Sequence, residues 1–78
     1  MGDTGITYTS YAKVIKFVKK HGFELRQGGR HSIARLNDIT IVIPRHTKIS
    51  TGVTKQIVKL LVDVAGFDKD EVNRALKK

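Results

Sequence analysis

The 78-residue chain has no cysteine, no tryptophan and a single proline. Without cysteine there is no disulfide framework and no thiolate metal site. Three histidines without a matching carboxylate cluster make a poor zinc site, so the sequence calls for no metal and no cofactor. Its apolar runs fall far short of the ~20 residues that cross a bilayer. The opening Met1-Gly2-Asp3-Thr4-Gly5 has neither the basic start nor the apolar stretch of a secretory signal. Ile6 stands where a myristoylation signal needs Ser or Thr. The expectation is a cytoplasmic protein with no membrane association. Acidic residues are also scarce: 7 Asp and Glu against 15 Lys and Arg leave a net charge of +8. Such an excess favours polyanions, nucleic acid first among them, over a merely solvated basic surface.

The length allows one domain over residues 1–78, burying about 60% of the surface of its unfolded chain. Residues 1–9 read as a loose N-terminus. Ser10 is placed to cap a helix. Tyr11, Val14, Ile15 and Val18 recur at helical spacing, and Gly22 supplies the stop, with Phe23 folding back against Val18. Three strands follow, 23–27, 30–36 and 39–43. They are separated by the turn pairs Gly28-Gly29 and Asn37-Asp38. Ser50 or Thr51 can cap a second helix, whose apolar stripe is Val53, Ile57, Leu60, Leu61 and Val64. Gly66 ends it. Asp68 and Glu71 form a capping-box-like pair opening a short third helix, with Val72, Ala75 and Leu76 inward. The fold class is α+β: helix, three-stranded antiparallel sheet, helix, short C-terminal helix.

The turns set the strand register, and the register sets the faces. A Gly28-Gly29 loop pairs Gln27 with Arg30, Leu25 with Ser32 and Phe23 with Ala34. An Asn37-Asp38 loop pairs Leu36 with Ile39, Ala34 with Ile41 and Ser32 with Ile43. Both loops gather Phe23, Leu25, Ala34, Leu36, Ile39, Ile41 and Ile43 on one face, which two helices can cover. The other face stays open and carries Glu24, Arg26, His31, Ile33, Arg35, Thr40 and Val42. On this pairing Arg26 stands across from His31.

His31 is the leading candidate for chemistry. It lies beside a glycine turn, on the open face, with Arg26 and Arg35 near enough to hold a phosphate. Imidazole titrates near neutrality and can take a proton from a ribose 2′-hydroxyl, while an arginine stabilises charge on the phosphoryl oxygens. The plainer reading is an exposed strand histidine with no role. Arg45 and His46 form a secondary candidate pair in the loop after Pro44. That loop can equally serve only to contact a helix N-terminus or another chain. His21, beside Lys19 and Lys20, suits a helix C-terminus, where a cation meets the helix dipole favourably. The lysines of the helices are solvated surface or a general backbone clamp for RNA. Tyr8 and Tyr11 read as core or edge residues.

Gly29-Arg30-His31, then Ile43-Pro44-Arg45-His46, then Ile49, Gly52, Ile57 and Gly66, together with the stretch from Tyr11 to Gly22-Phe23, resemble the HicA toxins. The resemblance runs over roughly residues 8–67. It implies a double-stranded-RNA-binding-domain-like fold and a ribosome-independent mRNA interferase of a type II toxin–antitoxin system, acting on mRNA and silenced by a HicB-type antitoxin. The family's Gly-Ser-His motif places its catalytic histidine at His31. Arg30 replaces the usual serine, and Gly52-Val53 replaces the usual Gly-Thr at the second helix. Residues and resemblance together read as a metal-independent endoribonuclease. His31 acts as general acid and base, Arg26, Arg30 and Arg35 bind phosphate, and Gly28 and Gly29 allow close approach of the RNA. The alternative is a noncatalytic RNA-binding module of the same fold.

Overall fold

The computed structural model describes residues 8–77. Helix α1 spans Tyr11–Lys20, strands β1, β2 and β3 span Glu24–Gln27, His31–Leu36 and Ile39–Pro44, helix α2 spans Thr51–Lys59, and helix α3 spans Lys69–Leu76. A π-helical segment, Leu60–Val64, prolongs α2. The architecture is the expected α+β layout.

Local chemistry explains the element ends. The Ser10 side chain accepts from the Lys13 N–H at the start of α1. Gly22 takes φ 81° after α1, and the Phe23 N–H donates back to the Val18 carbonyl. At α3 the Asp68 carboxylate accepts from the Glu71 N–H at 3.2 Å. Helix α2 departs from expectation. Ser50 holds the cap position, but its side chain makes no cap bond. Instead the buried Thr54 hydroxyl turns back to the Ile49 carbonyl at 3.2 Å.

The sheet order is β1-β2-β3, antiparallel throughout. The β2–β3 register follows the Asn37-Asp38 turn as expected, with Leu36 opposite Ile39, Ala34 opposite Ile41 and Ser32 opposite Ile43. Asn37 takes φ 54°, a left-handed conformation that asparagine tolerates. The β1–β2 register differs. Gln27 pairs with Ser32, Arg26 with Ile33, Leu25 with Ala34 and Glu24 with Arg35. Gly28 therefore belongs to the ladder, its N–H donating to the His31 carbonyl at 2.8 Å, and the connection is Gly29-Arg30. Two observations account for the shift. Neither Gly28 nor Gly29 takes a positive φ, so the left-handed turn expected at that pair does not form. The Gly28 N–H bond to the His31 carbonyl closes the two-residue connection one position later. The slip moves each pair by two positions, which preserves side-chain parity. Ala34, Ile41 and Ile43 are buried, whereas Glu24, Arg26, His31, Ile33, Arg35, Thr40 and Val42 are exposed.

Helix α1 and the π-helical segment that prolongs α2 pack on the apolar face at β3, and α3 packs on both of them. Val14, Val18, Ile41, Ile43, Ile49, Leu61, Val72 and Leu76 are fully buried in one continuous core. Two expectations need correction. Thr9 is not loose: it is buried, forms an antiparallel bridge with Ile49, and its hydroxyl donates to the Leu76 carbonyl at 2.9 Å. Residues 1–7 of the expected loose stretch lie outside the described residues. Val64 leaves the apolar stripe and is 58% exposed. In the π-helical segment the Ala65 N–H reaches the Leu60 carbonyl, five residues back. That wider turn breaks the 3.6-residue period on which the stripe was counted.

Candidate active site on the open sheet face

His31 opens β2 at the tip of the first hairpin and is exposed. Its pairing partners are Gly28, just past β1, and Pro44 on β3. Glycine puts no side chain across from the imidazole, and a Cβ at position 28 would sit 3.1 Å from the His31 carbonyl oxygen. The sequence placed Arg26 across from His31; Arg26 instead faces Ile33. The nearby cations fall into two groups. Arg30 and Arg45, joined by their ladder bond, lie at the His31 end one position out of phase with it, and the Arg45 guanidinium is over the Tyr11 ring on the helical side. Arg26 and Arg35 flank Ile33 and line a shallow basin of about 300 Å³ with Glu24 and Thr40.

Arg45 sits closer to the hairpin tip than its secondary rank suggested. Its Nη1 donates a long hydrogen bond, 3.4 Å, to the Gly28 carbonyl, and its guanidinium lies 5.8 Å from the centre of the Tyr11 ring. The Tyr11 hydroxyl meets the buried Ser32 hydroxyl at 2.6 Å. Ser32 is the residue after His31, so α1 supports the strand that carries His31 from beneath. Sequence reasoning missed this link. A tyrosine and a serine 21 positions apart carry no signal for it beyond the inward parity of Ser32. His46 contributes its backbone carbonyl to the Tyr11 N–H at 3.2 Å, which is the helix N-terminal contact entertained for this loop, and its side chain is exposed.

His21 lies away from this face. It packs at a tilt against Phe17 and Phe67, with ring centroids at 4.3 and 4.6 Å, and its Nε2 is 3.2 Å from a Glu71 carboxylate oxygen. It joins the end of α1 to α3, a structural task consistent with its helix-end reading. Among the described residues no group of three or more His, Cys, Asp or Glu could hold a metal ion. No helix among them is long and apolar enough to cross a membrane.

The face offers an exposed imidazole with open approach and two arginines around an apolar floor, with two further arginines at the hairpin end. Comparison with known families agrees in direction. The description "HicA toxin of bacterial toxin-antitoxin" matches residues 11–67, from the start of α1 to the aromatic after the π-helical segment. No curated protein and no solved structure matches the chain. The match covers all three strands and the hairpin that carries His31, and on that evidence the chain belongs to the HicA toxin family of bacterial toxin–antitoxin systems.

Proposed function

We propose that this toxin is a metal-independent endoribonuclease, an mRNA interferase, with His31 as its general acid and base. The observation that carries this reading is the exposure of His31 between a side-chain-free Gly28 and Pro44, with arginines on the same face. His31 takes the proton of a ribose 2′-hydroxyl. That oxygen attacks the adjacent phosphorus, and the 5′-oxygen departs with a proton returned by the imidazolium, leaving a 2′,3′-cyclic phosphate. Arg26 and Arg35, on the His31 face, hold phosphate and offset charge on its oxygens, and Arg30 and Arg45 add phosphate affinity at the hairpin end. The groups around His31 are cationic, a donor set suited to phosphate and not to a divalent metal.

The partner that silences the toxin is an antitoxin of HicB type. The charge of +8 favours an acidic partner surface, because complementary potentials steer association. Ile33, 38% exposed, and Val42, 51% exposed, pair across β2 and β3 and supply an apolar centre with arginines at its rim.

The test is RNA cleavage by the purified chain and by His31→Ala, each with and without EDTA. Cleavage by the wild type in both conditions, and by the variant in neither, is expected. Cleavage by the variant removes His31 from the role. Binding without cleavage by the wild type makes the chain a noncatalytic RNA-binding module.

A further inference from the structure

The outer edge of β3 is a backbone surface without a strand partner among the described residues. Its hydrogen-bonding phase is fixed at both ends. Leu36 and Ile39 flank a two-residue turn, and the Arg45 N–H donates to the Arg30 carbonyl. Alternation between these points turns the backbone groups of Ile39, Ile41 and Ile43 toward β2 and those of Thr40 and Val42 outward. Pro44 adds a carbonyl and no N–H, which sets the end of any added ladder.

A groove of about 430 Å³ runs along this edge. Thr40 and Val42 form one wall, and Val53, Leu60 and Val64 from α2 and the π-helical segment form the other. Among the described residues, Val42 and Val64, 51% and 58% exposed, are two of the three large apolar side chains most open to solvent; the third, Ile33, pairs with Val42. The apolar surface therefore continues from the open sheet face around the free edge to the helical layer. Lys59 lines the groove and Arg35 pairs with Thr40, so the rim is basic.

We infer that the β3 edge and its groove seat an extended, apolar segment of an acidic protein, added to the sheet as a fourth strand. A strand in this place donates to and accepts from Thr40 and Val42. Its alternate side chains reach Leu60 and Val64 on one side and Val42 on the other. Charge selects the occupant. A second copy of this chain would set Lys59 and Arg35 against their own equivalents on a molecule that also carries +8, whereas acidic residues flanking the segment meet them as opposite charges. The inference rests on the reading that an antitoxin silences the toxin, and it supplies the mode of attachment.

The experiment is amide hydrogen exchange on the chain alone and in complex with the antitoxin co-expressed from its own operon. It is joined to affinity measurements on Val64→Asp and Lys59→Glu. The Thr40 and Val42 amides are expected to exchange freely in the chain alone and to be protected in the complex. Each substitution is expected to weaken the complex by about tenfold or more, with RNA cleavage by the free variant unchanged. A complex that leaves both amides exchanging freely overturns edge docking and leaves the antitoxin reading standing. Protection that grows with concentration in the chain alone assigns the edge to a second copy and overturns the inference. Failure of the wild type to form any complex removes the antitoxin reading and this inference with it.

Discussion

Gly28 faces His31 across the hairpin with backbone alone between them: the glycine N–H donates to the histidine carbonyl at 2.8 Å. The added methyl of Gly28→Ala would lie 3.1 Å from that oxygen and must displace it by a few tenths of an ångström. The expected result is a stability loss of about 1 kcal/mol and a drop in RNA turnover larger than that loss explains, because the shift falls on the backbone of the proposed general acid and base. Thermal unfolding and cleavage kinetics on the same preparation measure both. Unchanged turnover would show that the His31 backbone position is not critical.

His31→Ala is expected to abolish cleavage and growth arrest while shifting stability within about ±0.5 kcal/mol, since an exposed side chain at the strand start removes no core contact. Denaturant unfolding accompanies the activity assay. A variant that unfolds would mean that His31 has a structural role that its exposure does not reveal.

Arg26→Ala and Arg35→Ala are expected to weaken RNA binding and flatten its dependence on salt. Each lost phosphate contact lowers the log–log slope by about 0.7 for a single strand. Binding isotherms across a salt series read this directly. A slope equal to wild type would take the RNA path off the basin around Ile33 and move it to the lysines of the helices.

Ile33→Asp is expected to weaken the antitoxin complex and leave the fold intact, because Ile33 is directed away from the core. Titration calorimetry with the co-expressed partner, alongside circular dichroism of the free variant, separates the two effects. Wild-type affinity would exclude the open face from the interface.

Thr9→Val tests the anchoring of the first described residues. It keeps the shape and deletes the hydroxyl that donates to the Leu76 carbonyl at 2.9 Å. Both groups are buried, so the stranded carbonyl costs about 1–3 kcal/mol. Equilibrium unfolding is the measurement, and a cost below the lower figure would mean that water reaches Leu76.

The faces of the sheet were legible because apolar alternation fixes parity. It does not distinguish registers two positions apart, and Phe23 to Gln27 kept its inward and outward sets through the slip that moved Arg26 from His31 to Ile33. The β2–β3 hairpin was legible in full, since Asn37-Asp38 offers one tight turn, whereas Gly28, Gly29 and Arg30 offer two. The realised one is marked by the bond from the Gly28 N–H to the His31 carbonyl, with no left-handed residue at Gly28 or Gly29. Val64 and Thr9 escaped for related reasons. A π-helical turn and a hydroxyl bond spanning 67 residues leave no mark in local periodicity.

The contact between the Tyr11 and Ser32 hydroxyls also gives the molecule a built-in optical reporter. The chain has two tyrosines and no tryptophan, so its near-ultraviolet absorption and emission come from Tyr8 and Tyr11 without interference. The Tyr11 phenol is hydrogen-bonded to the residue beside His31 and lies under the Arg45 guanidinium. Its signal therefore follows the seating of α1 against the strand bearing His31. With Tyr8→Phe, a single unlabelled chromophore would register RNA or antitoxin arriving at the hairpin in real time.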